Sequence, residues 1–147
     1  MDKPAFVYVV YIEASPQDVW KALIDPQTTV KYWQHVNLSD WKVGSKWEHR
    51  ENSKDGELKL TGKVVEVSPS QRLVITWADP TQVSDPQKHS RVTFQIEPIG
   101  KVVRLTITHD HFEDGSDMFE SISKGWPKVL SSLKSLLEVG KPLPKLW

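Results

Sequence analysis

Histidines are the side chains of this sequence best suited to chemistry, and His109 and His111 have a spacing that a metal can use. Residues two apart on a strand project from the same face, so both imidazoles could reach one ion. A third ligand would have to come from elsewhere, with His49 or Glu51 as the nearest candidates. No third ligand is placed by the sequence, so we favour a hydrogen-bonded interior role for His109 and a loop-edge role for His111, with no metal and no cofactor.

Acid–base catalysis is a second possibility, since His49 and His109 could act as general acid and base inside a pocket. Trp47 and Trp77 would then converge with them on one substrate. The alternative, which we favour, is that these polar groups only orient a ligand or satisfy hydrogen bonds in the core. No catalytic residue is therefore assigned. The absence of cysteine and of a glycine-rich phosphate loop argues against thiolate and nucleotide chemistry.

Large apolar side chains make up the other candidate site, and the chain has seven tryptophans. Aromatic residues pack cores, but they also line apolar ligand pockets, and the sequence leaves both interpretations open. The residues that we expect to line a ligand pocket are Tyr8, Trp47, His49, Leu60, Trp77, Phe94, Leu105, His109, Met118, Phe119, Ile122 and Trp126.

The elements that would position these residues can be followed along the chain by periodicity and turn signals. Residues 34–43 look irregular, and residues 113–116 form a loop. Alternating apolar residues predict a first strand over 4–13 and five more over 45–51, 57–67, 72–78, 89–97 and 102–111. Two short helices follow the first strand, and one long amphipathic helix covers 117–140. The order predicts an α+β fold in which a curved six-stranded antiparallel sheet surrounds the C-terminal helix.

Gly125 and Pro127 lie inside the long helix. Proline in a helix interior costs about 3 kcal/mol and glycine about 1 kcal/mol. We therefore expect a kink or break near residue 125.

Composition narrows the range of partners. Lys plus Arg and Asp plus Glu both number 19, a balance that argues against nucleic acid as the main partner. The apolar run at residues 6–12 is too short to span a bilayer and lacks the features of a signal peptide. We expect one domain over residues 1–147 and a cytoplasmic location.

Five segments together resemble a known family. They are EASPQDVWKALIDP, GKVVEVSPSQRLVITW, SRVTFQIEP, VVRLTITHDHF and GWPKVLSSLKSLLE. Their order and spacing resemble the START-like (SRPBCC) superfamily, and within it the homologues of the activator of a heat-shock-protein ATPase. The resemblance implies a helix-grip fold with a cavity between the sheet and the C-terminal helix. Members of the superfamily include lipid-transfer domains and aromatic polyketide cyclases, so fold alone does not decide the function.

Three functions follow as hypotheses. The first, which we prefer, is binding of a small apolar or aromatic molecule in the cavity. The others are an enzyme acting on an aromatic or polyketide-like substrate and a cochaperone-like partner of the heat-shock protein. The outer face of the sheet also looks apolar, which would suit a homodimer. The residues expected there are Val7, Val9, Tyr11, Val65, Val74 and Val102.

Overall fold

The computed structural model describes residues 4–113, 115 and 117–147, so the predicted loop residues Asp114 and Ser116 lie outside the described residues. The described chain contains seven strands, three α-helices and two short 3-10 turns at Pro80–Gln82 and Pro86–Lys88. The strands are β1 Phe6–Ile12, β2 His35–Leu38, β3 Lys46–Glu51, β4 Leu58–Ser68, β5 Arg72–Trp77, β6 Ser90–Ile99 and β7 Val102–Asp110. The helices are α1 Pro16–Ile24, α2 Pro26–Trp33 and α3 Met118–Val139.

The two short helices begin at the signals that the sequence carries. The hydroxyl of Ser15 accepts a hydrogen bond from the amide of Asp18 at 3.1 Å, and Pro16 occupies the first turn of α1. Asp25 ends α1 and caps α2 through a bond from the amide of Gln27. These caps place α1 and α2 where the sequence predicted them.

All seven strands form one antiparallel sheet in the order β1-β7-β6-β5-β4-β3-β2. The register shifts between His49 and Arg50 on β3 and between Val64 and Glu66 on β4. Irregularities of this kind bend a strand and increase its twist, so they curl the sheet. The curled sheet with α3 packed against its inner face is the α+β helix-grip arrangement that the resemblance implied.

The predicted number of strands was wrong by one, because residues 35–38 form β2 inside a segment that was expected to be irregular. Four residues are too few to show a reliable alternation. Gln34 adopts a left-handed backbone, with φ 63°, and turns the chain directly from α2 into the new strand. Pairing of His35 with Glu51 and Leu38 with Glu48 along β3 then stabilises β2, a long-range interaction that local sequence does not show.

The long helix is continuous from Met118 to Val139, so of the kink or break expected near residue 125 the break does not occur. Pro127 removes the amide donor that would bond the carbonyl of Ser123. The buried face of α3 offsets this loss, because each fully buried large apolar side chain contributes about 1.5–3 kcal/mol. That face comprises Ile122, Trp126, Val129, Leu130 and Leu133.

The outer surface of β1 is apolar and exposed. Val7, Val9 and Tyr11 are 57%, 44% and 49% exposed, as the alternation predicted. Val74 was expected on the same exposed surface but is buried at 3%. None of the helices in the described residues combines the length and the apolar character that crossing a bilayer requires.

Candidate functional site

A small pocket lies between the inner face of the sheet and the N-terminal half of α3. Its volume is about 210 Å³. The residues that line it are Trp33, His49, Leu60, Trp77, Met118, Ser121, Ile122, Gly125, Trp126 and Val129. A larger cleft of about 710 Å³ follows the turn at residues 68–71, but polar and charged side chains supply much of its lining. The lining of the inner pocket, by contrast, is mostly apolar and carries no charged side chain.

Three tryptophans pack against one another in the wall of this pocket. The ring of Trp33 lies 6.4 Å from Trp77 and 5.5 Å from Trp126, and Trp77 lies 5.4 Å from Trp126. Rings at these distances are in direct contact. The three indoles therefore fill much of the space between sheet and helix, which is why the remaining pocket is small.

His49 supplies a polar group in this apolar wall. Its side chain is buried, it stacks on His35 at 4.5 Å, and its Nδ1 bonds the side-chain oxygen of Asn37. An amide oxygen can only accept, so Nδ1 carries the proton and Nε2 keeps its lone pair in the neutral ring. Burial, with a smaller contribution from the charge of protonated His35, lowers the pKa of His49 to about 3. The imidazole is therefore neutral near pH 7.

His109 lies behind the pocket and has the opposite tautomer. The indole Nε1 of Trp126 donates to its Nδ1 at 3.1 Å. Indole nitrogen is a donor only, so the proton of neutral His109 is on Nε2, which faces the hydroxyl of Ser90 at 2.7 Å. Ser90 in turn donates to the carbonyl of Trp77 at 3.2 Å. Burial lowers the pKa of His109 to about 3.

The Ser90–His109 pair resembles a nucleophile with its base, but the proton positions do not suit that chemistry. A histidine that activates serine must present a lone pair to the hydroxyl. Here Nε2 carries a proton, and the lone pair on Nδ1 is already bonded to Trp126. Both residues are almost fully buried. The arrangement is that of a satisfied structural hydrogen-bond chain.

Six of the twelve residues that the sequence analysis selected line the pocket: His49, Leu60, Trp77, Met118, Ile122 and Trp126. Three others form the layer directly behind it. Trp47 and His109 contact Trp77 at 5.4 and 5.3 Å, and Phe94 meets Trp126 at 5.8 Å.

The remaining three are not among the lining residues. Leu105 is fully buried in the core. Tyr8 is half-buried on β1 and stacks on Phe6 at 6.2 Å. Phe119 contacts Phe112 edge to face at 5.4 Å.

Sequence reasoning missed Trp33, Ser121, Gly125 and Val129 as lining residues. Trp33 is the last residue of α2, and a large aromatic residue at the end of a predicted helix was a signal that could have been used. Gly125 was noticed for its helix propensity, but its missing side chain also leaves open space: apart from its chain neighbours and the adjacent backbone of α3, no described atom lies within 4 Å of a Cβ built on it.

His109 and His111 do not both lie on β7, as the metal-binding possibility required. β7 ends at Asp110, and His111 has a left-handed backbone with φ 63° and an exposed side chain that meets Asp110. Among the described residues, no group of three or more His, Cys, Asp or Glu side chains is arranged to hold a metal ion.

Solved structures with this architecture are numerous. The Aha1 dimer of Colwellia psychrerythraea is 24% identical with a TM-score of 0.77, covering 94% of this chain and 98% of that one. Protein MLL2253 of Mesorhizobium loti is 26% identical with a TM-score of 0.76, covering 91% and 96%. PFC0360w of Plasmodium falciparum, described as an HSP90 activator, is 19% identical with a TM-score of 0.74, covering 94% and 97%. No curated protein sequence matches the chain significantly.

A family model decides the assignment. The model for Activator of Hsp90 ATPase homolog 1-like protein matches residues 13–138, which include most of the sheet, the pocket and nearly all of α3. The structural neighbours have the same fold over nearly the whole chain. The chain therefore belongs to the Activator of Hsp90 ATPase homolog 1-like family, within the START-like proteins.

Proposed function

We propose that this protein binds a small, neutral, apolar or aromatic molecule in the pocket between the sheet and α3. The observation that carries the proposal is the pocket's lining, in which tryptophan and aliphatic side chains surround about 210 Å³ without a charged group. An apolar cavity of about 150 Å³ is already large enough to hold benzene. Typical drug-sized ligands need pockets of about 300–1,000 Å³, so the volume favours a ligand of one or two rings over a lipid.

Gly125 offers a direct test, because its missing side chain leaves open space at the pocket wall. Gly125→Leu would place a branched side chain in this space while removing an unfavourable helical glycine. Calorimetric titration with p-xylene is expected to show saturable binding to the parent protein and at least about tenfold weaker binding to Gly125→Leu.

Lys124→Leu is the matched control, since Lys124 precedes Gly125 on the same helix but is exposed. This variant adds the same side chain and should bind p-xylene as the parent does. If the parent protein shows no saturable binding to any of a panel of one- and two-ring apolar compounds, the proposal is contradicted. Unchanged p-xylene binding by Gly125→Leu would show that the ligand binds at another site.

A cochaperone role is a second candidate, favoured by the family and by a structural neighbour described as an HSP90 activator. It predicts a complex with the Hsp90 of the same organism and a faster ATPase rate in its presence. An Hsp90-specific inhibitor supplies the control, because it removes only the chaperone's share of the measured rate. If neither a complex nor stimulation is found, the role is excluded.

Self-association is a third and separate possibility, and the exposed apolar row of Val7, Val9 and Tyr11 on β1 favours it. We propose that this row is the contact of a homodimer. Sedimentation equilibrium should then give a dimer for the parent and a monomer for Val9→Lys. A monomeric parent at high protein concentration would rule out the dimer.

A further inference from the structure

The strand β1 lies at one edge of the sheet and pairs only with β7. Two side chains of α3 satisfy its outer edge at the C-terminal end. The ammonium group of Lys134 donates to the carbonyl of Tyr11 at 2.5 Å. The amide of Glu13, just beyond the strand, donates to the carboxylate of Glu138 at 2.8 Å.

These two bonds show which residues of β1 direct their backbone groups away from β7. In an antiparallel strand the N–H and C=O of one residue point to the same side, and successive residues alternate. Tyr11 and Glu13 point outward, and the register of β1 with β7 is unbroken, so Val7 and Val9 point outward as well. No described residue hydrogen-bonds the N–H or C=O of either valine.

The hairpin of β6 and β7 gives the same alternation independently. Its two-residue turn makes Ile99 and Val102 a hydrogen-bonded pair. The even-numbered residues of β7 therefore bond β6, and the odd-numbered ones bond the even-numbered residues of β1. The odd-numbered residues of β1, which include Val7 and Val9, are left facing the open edge.

This open stretch has none of the features that protect sheet edges. Native edges carry a charge, a proline or a bulge, or are covered by another element. At the opposite edge α2 packs against β2, and the amide of Asn37 donates to the hydroxyl of Thr29 at 3.1 Å. The sequence of β1, FVYVVYI, contains no charge and no proline, and its pairing shows no bulge. Such an edge is a template for a further strand.

We propose that β1 pairs with β1 of a second copy, antiparallel and centred on Tyr8, so that two seven-stranded sheets become one. This inference rests on the homodimer proposed above and adds its contact and its register. A strand without charged side chains meets its own copy without repulsion, and a two-fold axis makes both halves of the contact identical.

The bonds already present select this register. With the axis at Tyr8, Val7 of each copy lies opposite Val9 of the other, and the N–H and C=O of both valines find partners. An axis at Val9 would place Val7 opposite Tyr11 and would need the Tyr11 carbonyl, which already accepts from Lys134.

Amide hydrogen exchange tests the pairing without a substitution. The amides of Tyr8 and Val10 point to β7, so they should exchange slowly at every protein concentration. Those of Val7 and Val9 should exchange rapidly in dilute protein and at least about tenfold more slowly where sedimentation shows a dimer. Fast exchange of both valines in the dimer overturns the inference and leaves a homodimer through another surface. A monomeric parent overturns both, and p-xylene binding is decided separately.

Two substitutions at Val9 separate backbone pairing from side-chain packing. Val9→Pro removes the outward N–H and keeps an apolar side chain, and an edge strand tolerates proline at such a position. Val9→Ala keeps the N–H and shortens the side chain. We expect Val9→Pro to raise the dissociation constant of the dimer at least about tenfold, and Val9→Ala to raise it less. The opposite order, in variants whose circular dichroism matches the parent, overturns the inference.

The register has its own test, because the chain contains no cysteine. Residues opposite each other in a non-hydrogen-bonded pair have Cα atoms about 4.5 Å apart, which a disulfide can span. Tyr8→Cys should therefore oxidise to a covalent dimer. Val10→Cys is the control, since Val10 would lie opposite Phe6 of the second copy and its thiols would be far apart. Equally fast cross-linking of the two variants overturns the proposed register.

Discussion

The indole nitrogen of Trp126 lies 3.1 Å from Nδ1 of His109, and this hydrogen bond joins the middle of α3 to the end of β7. Both side chains are buried. The bond decides the chemistry of His109, because it occupies the lone pair that a general base would need. It also connects the tryptophan at the pocket wall to the interior hydrogen-bond chain through Ser90.

Trp126→Phe and Trp77→Phe form a matched pair that measures this bond. Each replaces a buried indole by a smaller ring, but only Trp126→Phe leaves a buried acceptor, His109 Nδ1, without its donor. An unsatisfied buried group costs about 1–3 kcal/mol. We expect urea unfolding to show Trp126→Phe less stable than Trp77→Phe by roughly that amount. Equal losses would mean that the bond contributes nothing.

The two buried histidines should be opposite tautomers. His49 donates from Nδ1 to Asn37, whereas His109 accepts at Nδ1 from Trp126. Long-range ¹H–¹⁵N correlation spectra of the imidazole rings distinguish protonated from unprotonated nitrogens. At pH 7 we expect Nδ1 of His49 and Nε2 of His109 to be the protonated atoms. A protonated Nδ1 on His109 would contradict the hydrogen-bond chain.

Stability should fall in mild acid because burial lowers the pKa of His49 and of His109 to about 3, against an ordinary value of 6.5. The unfolded chain then binds protons that the folded chain excludes. Each histidine's contribution is complete above pH 6.5 and is lost as the pH falls from there towards 3. The loss is up to about 1.4 kcal/mol per pH unit for each ring.

His109→Gln checks this dependence, since glutamine offers one acceptor and one donor but does not titrate. Urea unfolding between pH 7.5 and 4.5 should give a smaller pH slope for the variant, by about one proton. Carboxylates titrate in both proteins, so the difference isolates the histidine. A slope equal to that of the parent would show that His109 binds its proton equally in the folded and unfolded states.

Gly62 and Gly125 should respond in opposite ways to the same substitution. A Cβ at Gly62 would overlap the carbonyl oxygen of Thr76 on β5, whereas one at Gly125 meets nothing. We expect Gly62→Ala to destabilise the fold by about 2 kcal/mol or more, and Gly125→Ala to stabilise it by up to about 1 kcal/mol. Thermal unfolding of the two variants measures the contrast, and a neutral Gly62→Ala would show that β4 can move away from β5.

Much of the fold was accessible from local patterns. The starts of the short helices are marked by the capping residues Ser15 and Asp25 and by Pro16. In long strands such as β6 and β7, the alternation of apolar residues matches the residues that are buried. β2 was missed because a four-residue strand depends on its pairing partner. The sequence did not decide between a kink and a break near Pro127, because the packing that keeps α3 continuous is not visible in local propensity.

The candidate site was predictable in residue type but not in arrangement. His49, Trp77 and Trp126, which inward alternation and helical spacing identify, do come together in one pocket lining. Which residues face empty space and which fill it depends on how α2 meets the sheet. The sequence left open whether the interior is a cavity or a filled core, and Trp33 at the end of α2 fills part of this space so that a small pocket remains.

The most direct test of the account is to locate a bound apolar molecule by nuclear Overhauser effects. With p-xylene in excess, and protein labelled at its methyl groups, we expect contacts from the ligand ring to the methyls of Ile122, Leu60 and Val129, which line the pocket. Gly125→Leu should abolish them. Contacts only to the exposed methyls of Val7 and Val9, or no contacts at a concentration that saturates binding, would contradict the claim that this pocket is the binding site.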